Sequence, residues 1–150
     1  LLVTPVQVAV LINTIASGGL YCEPKLVEGL VNENLNYIQK TAKPNLTRVL
    51  SKECAQNLIQ YMKASVEYGT SIRGKPDEGM AAAKTGTAQT GIKATDHSVI
   101  QAWYAGIFPA DKPKYSIIVF AEDAKGGGES CGPVFKKIAQ EIFYNVLKNR

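Results

Sequence analysis

The stretch Lys84-Thr85-Gly86-Thr87 groups an ammonium and two hydroxyls within four residues. Residues 81–89 show no helical period, and we expect a strand whose side chains alternate between its two faces. Thr85 and Thr87 then share one face, and Gly86 leaves room for a ligand or another backbone to approach. Two hydroxyls, an adjacent ammonium and open backbone N–H groups are suited to bind a carboxylate or a developing oxyanion.

Two other interpretations of these four residues have to be weighed. A phosphate-binding P-loop requires a glycine directly before the Lys-Thr pair and a second glycine five residues earlier. Those positions hold Ala83 and Glu78, which excludes a P-loop. A solvent-facing strand with no binding role stays open as an alternative, because so short a motif also arises by chance.

The composition is that of one ordinary globular domain. The chain has 150 residues, of which 45% are hydrophobic and 20% charged, and this length is enough to bury a core. The net charge is +4. No cluster of lysines and arginines is interleaved with aromatic residues, which argues against a nucleic-acid partner. No apolar run is long enough to span a bilayer.

The cysteines and the histidine give no sign of a metal site. The three cysteines are widely spaced and form no Cys-x-x-Cys pair, which argues against both a metal centre and a disulfide framework. We interpret Cys22 and Cys54 as small buried hydrophobic residues. His97 has no second histidine at ligand spacing and is interpreted as a loop residue. No metal or cofactor is predicted.

Three helices are predicted from capping residues and apolar periodicity. Thr4 and Ser51 are good N-caps, and Pro133 suits the first turn of a helix. The first helix is apolar on nearly every side, which is typical of a buried helix, whereas the other two have one apolar stripe. The predicted helices cover about residues 5–17, 51–67 and 133–148.

Two more strands are predicted after the Lys-Thr-Gly stretch, so the sequence indicates an α+β fold with an antiparallel three-strand meander. A loop over 91–98 and a short connection over 109–113 join the strands. Residues 21–31 favour an irregular edge strand or ribbon, and Gly126–Gly128 is interpreted as a flexible connector. The predicted strands of the meander cover about residues 81–89, 99–108 and 115–121.

Several separated segments together resemble the transpeptidase domain of class B penicillin-binding proteins. Lys84–Gln89 resembles the third motif of that family, which includes Lys-Thr-Gly. The other similar segments are Leu2–Gln7, Ala102–Ala110, and Gly127-Gly128 together with Pro133–Ile138. The pieces occur in the family's order and cover essentially the whole chain. The resemblance implies a partial penicillin-binding or β-lactamase-like transpeptidase fold.

The resemblance also implies a reaction and roles for four residues. Such transpeptidases attack the D-Ala-D-Ala stem peptide of peptidoglycan with a serine, form an acyl-enzyme and pass the acyl group to an amine. β-Lactams acylate the same serine. By this resemblance Lys84 supplies positive potential and supports proton transfer, and Thr85, Gly86 and Thr87 bind the substrate. The backbone N–H of Thr87 would form half of the oxyanion hole.

The chain departs from the family pattern at the nucleophile. No serine is followed by lysine three residues later, and no Ser-x-Asn is present. The nearest match, Thr90-Gly91-Ile92-Lys93, has no serine, so the requirement for an activated nucleophile is unmet. We expect residues 1–150 to be the C-terminal portion of one transpeptidase domain and to be inactive alone. The half with the nucleophile and a membrane anchor would lie upstream, at the extracytoplasmic face of a bacterial membrane.

Two expectations concern partners and alternatives. By the resemblance, strand 115–121 pairs with a strand upstream of this chain, so its open edge could support self-association, as could exchange of a terminal helix. Three alternative functions on the same scaffold stay open. They are a β-lactam sensor, a D,D-carboxypeptidase or other hydrolase, and a non-catalytic interaction module.

Overall fold

The computed structural model describes residues 2–93 and 98–148. Helices and an antiparallel sheet pack together, which confirms the predicted α+β class. Short helical turns cover Ile72–Gly74, Gly127–Cys131 and Phe143–Leu147. The main elements in chain order are α1 (Pro5–Ala16), β1 (Leu20–Cys22), β2 (Gly29–Val31), β3 (Tyr37–Lys40), β4 (Leu46–Arg48), α2 (Lys52–Tyr68), β5 (Ala82–Lys93), β6 (Ser98–Phe108), β7 (Tyr115–Ala121) and α3 (Gly132–Ile142).

The central sheet has the strand order β5-β6-β7, with both pairs antiparallel, as the predicted meander requires. Strand β5 continues to Lys93 and β6 begins at Ser98, so the strands extend into the segment predicted as a loop over 91–98. The hydroxyl of Thr90 donates to the carbonyl of Val99 at 2.9 Å, which helps to hold the two strands together there. Residues 94–97, with His97, lie outside the described residues.

Two hydrophobic cores lie on opposite faces of this sheet. The first is between the sheet and helices α1 and α2, and it includes Ile12, Met62 and Ile107. The second is between the sheet and α3, and it includes Tyr104 and Phe135. Because side chains alternate along a strand, neighbouring residues of β5 and β6 contribute to different cores.

Local hydrogen bonds explain where the first two helices begin. The Thr4 hydroxyl accepts from the Gln7 N–H at 3.3 Å, and the Gln7 side chain accepts from the Thr4 N–H at 2.8 Å. This reciprocal pair is a capping box. The Ser51 hydroxyl accepts from the Cys54 N–H at 3.0 Å. Both predicted N-caps are therefore confirmed.

Two predictions about burial are wrong. Helix α1 was expected to be buried on all sides, yet Val6 and Leu11 are 54% and 56% exposed. Only one side of α1 faces the sheet and α2, and no described residue covers the other side. Cys54 is also exposed and Cys22 is half-buried, because Cys54 lies just before the buried stripe of α2 begins at Ala55.

Residues 20–48 form two small antiparallel ribbons, so the segment 21–31, predicted as an irregular edge strand or ribbon, supplies one strand to each of them. Strand β1 pairs with β4, and β2 pairs with β3. The β2–β3 ribbon exposes apolar side chains such as Leu30 and Ile38, at 60% and 70%. It stands apart from the Lys-Thr-Gly strand and contributes nothing to the site described below.

Candidate functional site

The residues Lys84, Thr85, Gly86 and Thr87 lie together in the middle of β5, as predicted. Lys84 and Thr87 are exposed, whereas Thr85 and Gly86 are partly buried. Among the described strands, β5 pairs only with β6. An edge strand presents a row of unpaired backbone N–H and C=O groups along its free side. The four predicted site residues therefore combine side-chain and backbone groups that a ligand can reach.

Lys84 and Thr85 point to opposite faces of β5, yet their polar groups are hydrogen-bonded. The Lys84 side chain starts from the face that also holds Gly86, where a Cβ at Gly86 would lie 3.3 Å from the Cβ of Trp103. The ammonium then turns back to Thr85 and donates to its carbonyl at 3.0 Å and to its hydroxyl at 3.4 Å. This arrangement places the positive charge beside the hydroxyl-bearing face of the strand.

Thr70 joins this arrangement from outside β5. Its hydroxyl oxygen accepts from the Lys84 ammonium at 3.3 Å and from the Thr85 hydroxyl at 2.9 Å. We call Thr70, Lys84 and Thr85 the hydroxyl–ammonium cluster. Sequence reasoning missed Thr70, because the residue lies between the predicted helix over 51–67 and the predicted strand over 81–89. No local pattern indicates a contact across fourteen residues.

A buried polar network fixes the segment that contains Thr70. Ser71 is fully buried, with its hydroxyl 2.8 Å from that of Ser65 and 3.3 Å from the carbonyl of Ala83. The Tyr104 hydroxyl donates to the Ser71 carbonyl at 2.6 Å. Burial raises the pKa of Tyr104 to about 12. The residue after Thr70 is thus tied to the residue before Lys84.

The turn that begins at Gly126 packs directly against the Lys-Thr-Gly strand. The Gly127 N–H donates to the Thr87 hydroxyl at 3.3 Å. A Cβ at Gly127 would lie 2.3 Å from the Trp103 carbonyl oxygen and 2.6 Å from that of Gly86, which no real structure tolerates. The prediction of a flexible connector here is wrong, because close backbone contact orders these glycines into a π-helical turn.

The groups of this arrangement are suited to bind an anion. Lys84 provides a positive charge, and the Thr87 hydroxyl keeps a proton to donate because its oxygen accepts from Gly127. Ser71 is buried and fully hydrogen-bonded, so it cannot reach a ligand. Across residues 2–93 and 98–148, no group of three His, Cys, Asp or Glu side chains is placed to hold a metal.

An apolar groove leads to the hydroxyl–ammonium cluster. It runs between α1 and α2, has a volume of about 560 Å³ and ends at Thr70 and Lys84. We call it the α1–α2 groove. Most of the groove is lined by apolar side chains, among them Leu11, Ile12, Ile15, Leu58, Tyr61 and Met62.

Within the described part of the chain, no helix is long and apolar enough to cross a membrane.

Sequence comparison identifies relatives of this chain. The penicillin-binding protein transpeptidase domain family matches residues 1–140. The peptidoglycan D,D-transpeptidase PbpA of Mycolicibacterium smegmatis is 33% identical over 136 residues, which cover 87% of this chain and 27% of that protein. The peptidoglycan D,D-transpeptidase FtsI of Buchnera aphidicola is 31% identical, over 95% of this chain and 24% of that protein. The chain thus spans about a quarter of these relatives.

Solved structures agree with this assignment. Penicillin-binding protein A from M. tuberculosis, in its ceftriaxone acyl-enzyme complex, superposes with a TM-score of 0.78 at 30% identity. The match covers 91% of this chain and 31% of that one. A peptidoglycan synthetase from Bifidobacterium adolescentis also gives a TM-score of 0.78, at 27% identity, over 92% of this chain and 26% of that one. The chain therefore belongs to the transpeptidase domain family of the penicillin-binding proteins, as its resemblance to the class B members predicted.

Proposed function

We propose that this chain forms one side of the substrate-binding site of a peptidoglycan D,D-transpeptidase. The observation that supports this most directly is the hydroxyl–ammonium cluster at the free edge of β5. Its ammonium lies 3.3 Å and 3.4 Å from two hydroxyl oxygens. A positive charge beside hydroxyl donors suits the terminal carboxylate of a D-Ala-D-Ala stem peptide, and equally the carboxylate of a β-lactam.

Each predicted site residue receives a role in this proposal. Lys84 attracts the substrate carboxylate and supports proton transfer at the nucleophile. The Thr87 hydroxyl donates to that carboxylate, and Gly86 leaves the approach open. The Thr85 hydroxyl lines the same site while it donates to Thr70. The backbone N–H of Thr87 stabilises the oxyanion of the tetrahedral intermediate, and such a donor contributes roughly 3–4 kcal/mol to transition-state binding. No step requires a cofactor.

The nucleophile, in this proposal, comes from a part of the domain outside these 150 residues. The reaction needs a serine with an adjacent base, and this sequence has no Ser-x-x-Lys. The α1–α2 groove is the surface we expect that part to cover, since it is apolar and ends at Lys84. The chain would then be the C-terminal portion of one transpeptidase domain, inactive alone. An upstream segment would anchor the whole protein at the extracytoplasmic face of the membrane.

Labelling with a dye-conjugated penicillin tests the proposal. The isolated chain and the full-length protein are incubated with the probe and separated under denaturing conditions. We expect a covalent adduct on the full-length protein that unlabelled penicillin prevents, and no adduct on the isolated chain. An adduct on the isolated chain would place the nucleophile among these residues and contradict the proposal.

Product analysis separates the alternatives that share this scaffold. The full-length protein is incubated with a stem peptide that ends in D-Ala-D-Ala and with an amine acceptor. Both enzymes release the terminal D-Ala of the peptide. A transpeptidase then passes the acyl group to the amine, whereas a D,D-carboxypeptidase passes it to water. A β-lactam sensor is acylated by penicillin but converts no peptide, and an interaction module does neither.

A further inference from the structure

We infer that Thr70 is a positioning residue for the carboxylate-binding site, holding the Lys84 ammonium and the Thr85 hydroxyl in one arrangement. This inference rests on the proposed function and adds a residue to it. Thr70 lies outside the Lys-Thr-Gly-Thr stretch and joins it only through the fold, fourteen residues before Lys84. Its role would be to order the site before the substrate arrives.

The hydrogen-bond geometry supports this role. The Thr70 oxygen accepts from the Lys84 ammonium at 3.3 Å and from the Thr85 hydroxyl at 2.9 Å. A hydroxyl oxygen has two acceptor sites and one proton. Both acceptor sites of Thr70 are therefore used, one by Lys84 and one by Thr85. A reversed orientation is impossible for Lys84, because an ammonium only donates.

The Lys84 side chain is the group whose ordering such an arrangement affects most. A lysine ammonium sits on a flexible four-carbon stem, and ordering that stem costs rotamer entropy, up to about 2 kcal/mol. Here the ammonium already has three oxygen partners, one from Thr70 and two from Thr85. The ordering cost is then met during folding instead of during binding, which favours the bound state.

The backbone around Thr70 is fixed independently of its side chain. The N–H groups of Gly69 and Ser71 both donate to the Ser65 carbonyl, at 3.1 Å and 3.0 Å. The buried bonds from Tyr104 and Ser71 hold the same segment against β5. The Thr70 side chain itself is exposed. Replacing the hydroxyl should therefore leave the fold intact and change only the cluster.

The test compares acylation of full-length variants by a penicillin and by the methyl ester of the same penicillin. The ester keeps the reactive ring but lacks the carboxylate. We expect Thr70→Val to lower the acylation rate constant for the free acid about tenfold, the effect of one lost hydrogen bond to a charged group. The rate with the ester should change little. Thr70→Ser, which keeps the hydroxyl, should restore the rate with the acid.

Two control variants define how large the loss of acylation rate can be and whether it is specific to Thr70. Lys84→Ala gives the loss expected when the positive charge is removed altogether. Thr47→Val changes an exposed threonine on β4 and should leave both rates unchanged. Melting temperatures of all variants are measured in parallel, and we expect that of Thr70→Val to match the unmodified protein.

The outcomes separate this inference from the proposed function. Failure of the unmodified full-length protein to be acylated would overturn both. Normal acylation of Thr70→Val by the acid, or an equal loss with acid and ester, would overturn the inference alone. The same holds if Thr70→Val and Thr70→Ser lose rate in proportion to a fall in melting temperature, because that result would assign Thr70 a structural role.

Discussion

Tyr104 shows how one side chain links the sheet to the segment that holds Thr70. Its ring is fully buried against Phe135, with the ring centres 4.6 Å apart, and its hydroxyl donates to the Ser71 carbonyl at 2.6 Å. A Cβ at Gly74 would lie 2.1 Å from the same hydroxyl oxygen, so only glycine leaves room for the phenol there. Burial raises the pKa of Tyr104 from the usual value of 10.0 to about 12.

This pKa predicts how stability changes at alkaline pH. Between about pH 10 and about pH 12 the unfolded chain has lost the Tyr104 proton while the folded chain keeps it. The free energy of unfolding should therefore be unaffected by this group below about pH 10 and should fall above it. Tyr104→Phe should remove that part of the decline, and it should also cost about 1 kcal/mol at neutral pH through the lost hydrogen bond.

Urea unfolding of the chain from about pH 8 to about pH 11 measures this effect. Tyr68→Phe is the matched control, because that tyrosine is 81% exposed. The free energy of unfolding of Tyr68→Phe should change with pH as that of the unmodified chain does. If Tyr104→Phe showed the same alkaline decline as the unmodified chain, the buried phenol would not be its source.

At the scale of elements, the turn from Gly127 to Cys131 acts as a rigid support for β5. Its backbone lies so close to Trp103 and Gly86 that any side chain at Gly127 would overlap their carbonyl oxygens. At Gly128 a Cβ would lie 2.7 Å from the Thr70 carbonyl oxygen. The same turn therefore contacts both segments that supply the hydroxyl–ammonium cluster.

Gly127→Ala should consequently destabilise the chain by about 2–3 kcal/mol, since the obstructing atoms belong to backbone that cannot move aside. Gly91→Ala is the comparison: φ at Gly91 is +76°, but a Cβ there meets nothing within 4 Å. The strain of an alanine in this left-handed backbone conformation should alone lower the free energy of unfolding by about 1 kcal/mol. Urea unfolding of both variants checks the difference, and equal losses would show that close approach at Gly127 is unimportant.

The elements also show what a sequence can predict here. Helix starts at Thr4 and Ser51 were predictable because their capping bonds span only three residues. The alternation of β5 likewise placed Thr85 and Thr87 on one face. Thr70 and the ordered glycine turn were not predictable, since both depend on contacts between segments far apart in sequence. The exposure of α1 was missed because apolar composition cannot tell which sides of a helix are covered.

At the scale of the whole molecule, several exposed surfaces carry unpaired backbone groups or apolar side chains, which proteins usually bury. Among the described strands β7 pairs only with β6, so its other edge is unpaired. Val6 and Leu11 on α1 are more than half exposed, and the α1–α2 groove is apolar. Surfaces of this kind favour association with another chain or segment.

We therefore expect the isolated chain to self-associate, through the β7 edge or by exchange of a terminal helix. Light scattering at tens of micromolar chain concentration, roughly, should give a mass above that of the monomer. Deuterium exchange at high and low concentration locates the contact. Added protection in residues 115–121 indicates edge pairing, and added protection in α3 indicates helix exchange. A monodisperse monomer at this concentration would contradict the prediction.

Trp103 is the single tryptophan of the chain. It lies opposite Gly86 in the β5–β6 pair, and its ring centre is 4.4 Å from that of Phe120. All indole emission from this chain therefore originates next to the Lys-Thr-Gly strand, on the face from which Lys84 starts. An anion that settles at Lys84 alters the electric field across that ring. The fold thus has a native optical reporter beside the proposed binding site.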